Sequence, residues 1–363
     1  MRVLINPLAT RAPYAAREAL VVSKALAETA RREIMQWEGY EPTPLRSLAP
    51  LARRLRLGTL LYKDESGRLG QGSFKSLGGA YAAGMRLREL ENPARTVLCC
   101  ATDGNHGRSV AFAAERFGCS CVVFMHAGAP PAKAAAITAL GARVVRVTGT
   151  YDDSVREAHA AAKREGWLLV ADTSDDESDP TTRLVMQGYG VMVLEILEQL
   201  PGAQPPTHVV VQGGVGGLAA AVAGVFAEVY GERRPRVIVV EPEASACLLE
   251  SALHRALRKV EGDLATAMEM LSAGEASPVA WPILQRRADV FIAIEDAAAI
   301  DAARMLSESS GASAGLNVGV TGAAGVAGLM ELLREEDLAA TLELGPDARV
   351  LVFGTEEALP GPD

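Results

Sequence analysis

Thr96-Val-Leu-Cys-Cys-Ala-Thr-Asp-Gly-Asn-His-Gly107 decides the architecture. An apolar run ends at Ala101, a short polar loop follows, and helix-forming residues continue from His106. Strand, loop and helix in that order make one half of a parallel-sheet unit. The pattern then repeats along the chain. Strands are expected at 96–101, 119–125, 142–147 and 167–171, then at 208–212, 237–241, 290–294 and 350–353. Ala-rich helical segments at 106–117, 131–140, 152–165, 184–200, 217–230 and 297–309 alternate with them. Gly118, Gly141 and Gly166 each stand where such a helix stops. The fold class is therefore α/β, with two open twisted domains and a cleft between them. Residues 85–189 form the smaller domain, which carries the asparagine loop. Residues 1–84 and 190–363 form the larger one, and acid-rich 172–180 is the crossing between the two.

Composition narrows the function. At 363 residues, and ~150 per domain, the chain holds enough material for two to three domains. A net charge of −9 gives no attraction to nucleic acid or to an anionic membrane surface. No uncharged apolar stretch of ~18 residues is present, and the N-terminus does not read as a signal peptide. The five cysteines are odd in number and form no C-x-x-C pair, which fits reduced thiols in the cytoplasm and no metal centre. Only six lysines occur, at 24, 63, 75, 133, 163 and 259. Any lysine chemistry has six candidates.

One of them stands apart. Gly70-Gln-Gly-Ser-Phe-Lys75-Ser-Leu-Gly-Gly79 places Lys75 in a glycine-flanked loop at a helix start, where backbone can crowd against a ligand. A lysine desolvated there can lose its proton and form a Schiff base. The other five sit in contexts that read as solvated surface. Thr102 and Asn105 of the first-quoted loop lie at the carboxyl end of a parallel strand, where ligands bind in open α/β sheets. Asp103 or Asn105 also reads as a plain N-cap, and His106 as either a base or a loop support. Val209-Val-Val-Gln-Gly-Gly-Val-Gly-Gly217 is a second strand–glycines–helix element, whose amides suit a phosphate. Its Gly214-x-Gly216-x-x-Ala219, with Glu241 ending the next strand, also matches a dinucleotide fingerprint, so a nicotinamide oxidoreductase stays open.

Lysine, asparagine loop and glycine cradle in this order resemble the fold-type II pyridoxal-phosphate enzymes, the tryptophan synthase β and threonine dehydratase group. The closer resemblance is to the diaminopropionate ammonia-lyase family. It runs through Tyr40-Glu-Pro-Thr-Pro-Leu45, Lys63-Asp-Glu-Ser-Gly-Arg68, Gly72 to Tyr81 and Ala101 to Arg108. It continues through Asp172-Thr, Met186-Gln-Gly-Tyr-Gly190, Gln212 to Gly217 and Thr355-Glu356. Asp103 marks the ammonia-lyases, since dehydratases usually carry serine there. The resemblance implies pyridoxal 5'-phosphate as cofactor, bound covalently to Lys75 with Phe74 beside its ring. It gives Asn105 the phenolic oxygen, Gly213, Gly214, Val215, Gly216 and Gly217 the phosphate, and Thr355 the pyridine nitrogen. Asp103 and Asp172 correspond to two catalytic carboxylates, and Ser73, Thr102, Asp103 and His106 to substrate contacts.

The implied reaction is β-elimination of ammonia from D- or L-2,3-diaminopropionate, by a homodimer. Departures from the family pattern leave a second reading open, a lyase or β-replacement synthase acting on another β-substituted amino acid such as serine. Ser309 stands where the family has glutamate, and the segment after Glu356 departs from the family's ending. Ala273 replaces a frequent cysteine, so Cys247 is expected to have no disulfide partner.

Overall fold

The computed structural model describes residues 1–102, 104–308 and 315–358. Eleven strands among them are β1 (Arg2–Ile5), β2 (Leu45–Ser47), β3 (Thr59–Asp64), β4 (Val97–Ala101), β5 (Ser120–His126) and β6 (Arg143–Val147). The others are β7 (Leu168–Leu169), β8 (His208–Gln212), β9 (Arg236–Pro242), β10 (Val290–Ile294) and β11 (Arg349–Gly354). They form two sheets. One has seven strands in the order β1-β10-β9-β8-β11-β3-β2, and the other has four, β6-β5-β4-β7. Every pairing in the small sheet is parallel. The large sheet is parallel from β10 to β3, with an antiparallel strand at each edge.

Parallel strands covered on both faces need continuous apolar runs. The β8 run His-Val-Val-Val-Gln is buried at every position, and so is Val-Phe-Ile-Ala-Ile of β10. The edge strands escape a reading by pattern. Residues 2–5 become a strand because they pair with β10, Arg2 opposite Ala293 and Ile5 opposite Val290. That partner lies nearly three hundred residues away in sequence.

Local chemistry sets several helix ends. The carboxylate of Asp179 accepts the amides of Thr181 at 3.0 Å and Thr182 at 3.4 Å, so the helix Pro180–Gln199 starts four residues before its expected 184. Thr150 and Asp153 form a reciprocal cap on the helix Tyr151–Glu165. The helix Val320–Arg334 was not expected, because its three glycines weaken the local preference. It packs on β8, β11 and the helix Asp296–Ser307, and this burial supports it.

Two lysines read as solvated are buried. Lys63 is fully enclosed; its Nζ donates to Glu195 Oε2 and to the Thr43 carbonyl, each at 2.7 Å. Arg68, also fully enclosed, donates to both carboxylate oxygens of Glu195 at 2.7 Å and to both of Glu65 at 2.8 Å. Two cations and two anions thus neutralise one another between β3, the segment that follows it and the helix Pro180–Gln199. Of the two adjacent acids at the end of β3, Glu65 joins this network, while Asp64, the strand's last residue, accepts from Arg46 at 2.7 Å. Lys133 is the second correction, with its ammonium paired to Glu269 and its side chain almost closed to solvent.

No helix among the described residues is long and apolar enough to cross a membrane. No cluster of ligating side chains there could hold a metal ion. All five cysteines are free, Cys247 included.

Candidate active site

The carboxyl ends of four parallel strands carry the expected segments. β3 leads into the Lys75 loop, β4 into the asparagine loop, β8 into the glycines and β11 into Thr355. Because β11 pairs with β3, Thr355 follows directly beside the start of the Lys75 loop. The Phe74 amide donates to the Thr355 carbonyl at 3.2 Å, and Ser73 bridges to Glu356.

Lys75 opens the helix Lys75–Leu87, and its Nζ lies 2.6 Å from Asp172 Oδ2. Burial opposes the charge on Lys75, but the Asp172 carboxylate outweighs it and holds the ammonium above the ordinary lysine range. Burial also opposes the charge on Asp172, yet Lys75 and then His106 keep it well below the usual carboxylate range. The result is a half-buried pair with both groups charged. Phe74 and Tyr189 wall it, their ring centroids 4.7 Å apart and 5.6 and 6.0 Å from Lys75 Nζ. Burial pushes the Tyr189 phenol up to about 12 despite the nearby ammonium, so it stays protonated.

His106 was open between base and support. Its Nε2 lies 2.8 Å from the Val170 carbonyl, so the proton is on Nε2 and Nδ1 carries a lone pair. Nδ1 has no hydrogen-bond partner among the described residues and stands 3.9 Å from Asp172 Oδ2. Burial pulls the imidazole below its ordinary range, which leaves it neutral. His106 ties the asparagine loop to the segment that delivers Asp172. Thr102 serves the loop as well, its Oγ1 accepting the Gly104 amide at 3.0 Å. Asn105 begins the helix Asn105–Phe117 and donates from Nδ2 to Glu356 Oε2 at 2.6 Å. Asp103 and Ser309 lie outside the described residues.

Gly78 and Gly79, expected to let a ligand approach, serve helix packing instead. A Cβ on Gly79 would lie 2.1 Å from Ser109 Oγ, and one on Gly78 2.3 Å from the Tyr189 ring. The three helices bearing Lys75, Asn105 and Tyr189 meet there, and Ser109 donates to the Lys75 carbonyl at 3.0 Å.

The glycine cradle follows β8 and opens the helix Gly217–Tyr230. Gly216 caps it at φ +97°, in the region that favours glycine. The first amides of that helix have no partner within it, and a helix N-terminus favours an anion. Gln212, not singled out in the sequence, anchors the cradle: its Nε2 donates to the carbonyls of Phe353 at 2.8 Å and Gly322 at 2.9 Å. Glu241 settles the dinucleotide alternative. Its carboxylate accepts the amides of Leu248 and Leu249, both at 2.7 Å, and is fully buried. It cannot reach a ribose.

These residues fit pyridoxal phosphate. The cradle offers amides for a phosphate, Lys75 offers the amine, and the buried Thr355 Oγ1 has no partner among the described residues. An orphaned hydroxyl at a strand end calls for one polar atom of a ligand.

The chain belongs to the pyridoxal-phosphate dependent enzyme family, whose model matches residues 37–356. The nicotinamide reading falls with that match. Within the family, the chain is similar to the diaminopropionate ammonia-lyases. It is 38% identical to that of Salmonella typhimurium over 87% of this chain and 85% of that protein. It is 35% identical to that of Escherichia coli over 92% of this chain and 89% of that protein. The crystal structure of the Escherichia coli enzyme in complex with an aminoacrylate-PLP azomethine reaction intermediate superposes with a TM-score of 0.90. There the sequence identity is 33%, and the match covers 98% of this chain and 93% of that one.

Tyr189 and Glu356 fall inside quoted stretches but were given no role. The signal for Tyr189 is an aromatic ring between two glycines, Gly188 and Gly190, on a helix that carries no other aromatic residue.

Proposed function

We propose that this chain eliminates ammonia from 2,3-diaminopropionate, giving pyruvate and two molecules of ammonia per water consumed. The observation that carries the reading is the half-buried, ionised Asp172 beside Lys75, in a chain similar to the ammonia-lyases over nearly its whole length.

Pyridoxal phosphate supplies a carbonyl that captures amines and an electron sink for a departing Cα proton. Gly213 to Gly217 would hold its phosphate, Thr355 Oγ1 its ring nitrogen and Asn105 its ring oxygen, with Phe74 beside it. Lys75 Nζ sheds a proton before it can bond carbon, and Asp172 Oδ2 at 2.6 Å is the acceptor at hand. As a neutral amine, Lys75 Nζ would be the base placed to take the Cα proton. Once it has passed the proton from Lys75 on to solvent, Asp172 is again ionised and can pair with the β-ammonium, which departs as ammonia only while protonated. Asp103 is the second carboxylate of this reading. His106 stays neutral behind Asp172, and Ser73 and Thr102 complete the lining.

The separate sheets support a division into 1–84 with 190–363, and 85–189. Five free thiols accord with a cytoplasmic setting. A homodimer belongs to the same reading, and sedimentation measures it.

Pyruvate release from D-diaminopropionate, L-diaminopropionate and serine tests the substrate. Diaminopropionate is expected to exceed serine in kcat/KM. Losing an ion-pair partner in a desolvated site costs about 3–5 kcal/mol, so Asp172→Asn is expected to lose roughly two to four decades on diaminopropionate. Equal rates on serine, with Asp172→Asn affecting all three alike, would favour the dehydratase or synthase reading.

A further inference from the structure

We propose that Glu356 is a positioning residue for Asn105, holding one hydrogen of its amide so that the side chain keeps its N–H edge for the cofactor. This rests on the reading of Asn105 as a ligand of the cofactor's ring oxygen.

The geometry makes Glu356 a junction. Its backbone bridges to Ser73 of the Lys75 loop and accepts the Gly319 amide at 3.2 Å. Its side chain accepts Asn105 Nδ2 at 2.6 Å, and the Thr321 hydroxyl favours its ionised form. The next residue, Glu357, pairs with Arg108 one turn along the Asn105 helix at 3.2 Å. Segment 355–357 therefore ties the lysine loop to the asparagine loop, which come from different sheets.

An ionised carboxylate only accepts hydrogen bonds, whereas an amide presents a donor end and an acceptor end of similar shape. Facing Glu356, Asn105 has to turn its NH2 toward the carboxylate. One hydrogen is then engaged and the second remains for the cofactor. If Glu356 is protonated, its O–H can donate to Asn105 Oδ1, and the reversed amide loses its donor edge.

Four elements bear on that carboxylate. Burial pushes it up to about 7, against the Thr321 hydroxyl on the helix Val320–Arg334 and the Asn105 amide. Lys133, on the helix Pro131–Thr138, also favours the ionised form, and Glu269 opposes it. Lys133 and Glu269 form their own ion pair, and the Lys133 stem lies where a Cβ on Gly104 would come within 3.3 Å. Ionisation, and with it a fixed Asn105, is expected above about pH 7 and is lost below it.

The test is cofactor affinity, measured on apoproteins titrated with pyridoxal phosphate from about pH 6 to 9. A lost hydrogen bond to a charged or oriented partner corresponds to roughly tenfold in affinity. Asn105→Ala and Glu356→Ala are each expected to weaken binding about tenfold above pH 8, and the double variant no further. Wild-type affinity is expected to fall as pH drops through about 7, and Asn105→Ala to lack that step. Glu356→Gln keeps an acceptor but cannot ionise, so it is expected to stay within about threefold of wild type above pH 8 and to lose the step. Wild-type affinity in Glu356→Ala, multiplying losses in the double variant, or a step retained by Glu356→Gln overturns the proposal. Undiminished affinity in Asn105→Ala overturns the reading of Asn105 itself, and this inference with it.

Discussion

Lys75 and Asp172 hold each other in the charged state, and the balance of forces on the lysine is unusual. Burial alone would drive Nζ toward the neutral amine, and the carboxylate 2.6 Å away reverses that. In the apoprotein, Asp172→Asn removes the opposing charge and leaves burial. The Lys75 pKa is then expected to fall, so more free amine exists at any pH below it. An amine-directed reagent at about pH 8 is expected to label Lys75 at least tenfold faster in the variant, a shift of one pKa unit or more. Mass-spectrometric site mapping checks it; equal labelling would mean that the carboxylate does not govern the amine. The special standing of Lys75 was legible from its glycine-flanked loop among only six lysines. Its partner was legible only through resemblance, since Asp172 lies 97 residues away and nothing local marks it.

At the scale of elements, the strand–glycine–helix unit at 208–230 was readable because its signal is local. A β-branched run, a glycine cluster and an Ala-rich segment follow one another without interruption. Gly216 is required by its positive φ, and a Cβ there would also lie 2.8 Å from Leu284. Gly216→Asp adds both a strained backbone and a negative charge at an anion-binding helix start. Pyridoxal-phosphate affinity, followed by absorbance on titrating the apoprotein, is expected to fall at least a hundredfold, about 2.7 kcal/mol. Retained affinity would move the phosphate elsewhere. The glycines at 78 and 79 carried the same sequence signal but a different cause. They seat three helices against one another, and a contact between distant helices leaves no local trace.

The whole molecule depends on charge burial that sequence alone disguised. Lys63 read as solvated surface, yet it, Glu65, Arg68 and Glu195 are all enclosed and mutually neutralised. Glu195→Ala would leave two buried cations facing one anion, which costs about 3–5 kcal/mol. Chemical denaturation is expected to show that loss in full and Glu195→Gln a smaller one, because Gln still accepts one hydrogen bond. A shift under about 1 kcal/mol would mean that water reaches the network. What the sequence by itself determined was the alternating α/β order, the two strand–loop–helix segments and the place of Lys75 at a helix start, because each rests on a contiguous pattern of side-chain period, glycine and strand end. Only the tertiary structure decided the edge strand β1, the burial of Lys63, the neutral His106 and the pairing of Asn105 with Glu356. Each of those depends on a partner dozens to hundreds of residues away, which no local pattern of side chains announces.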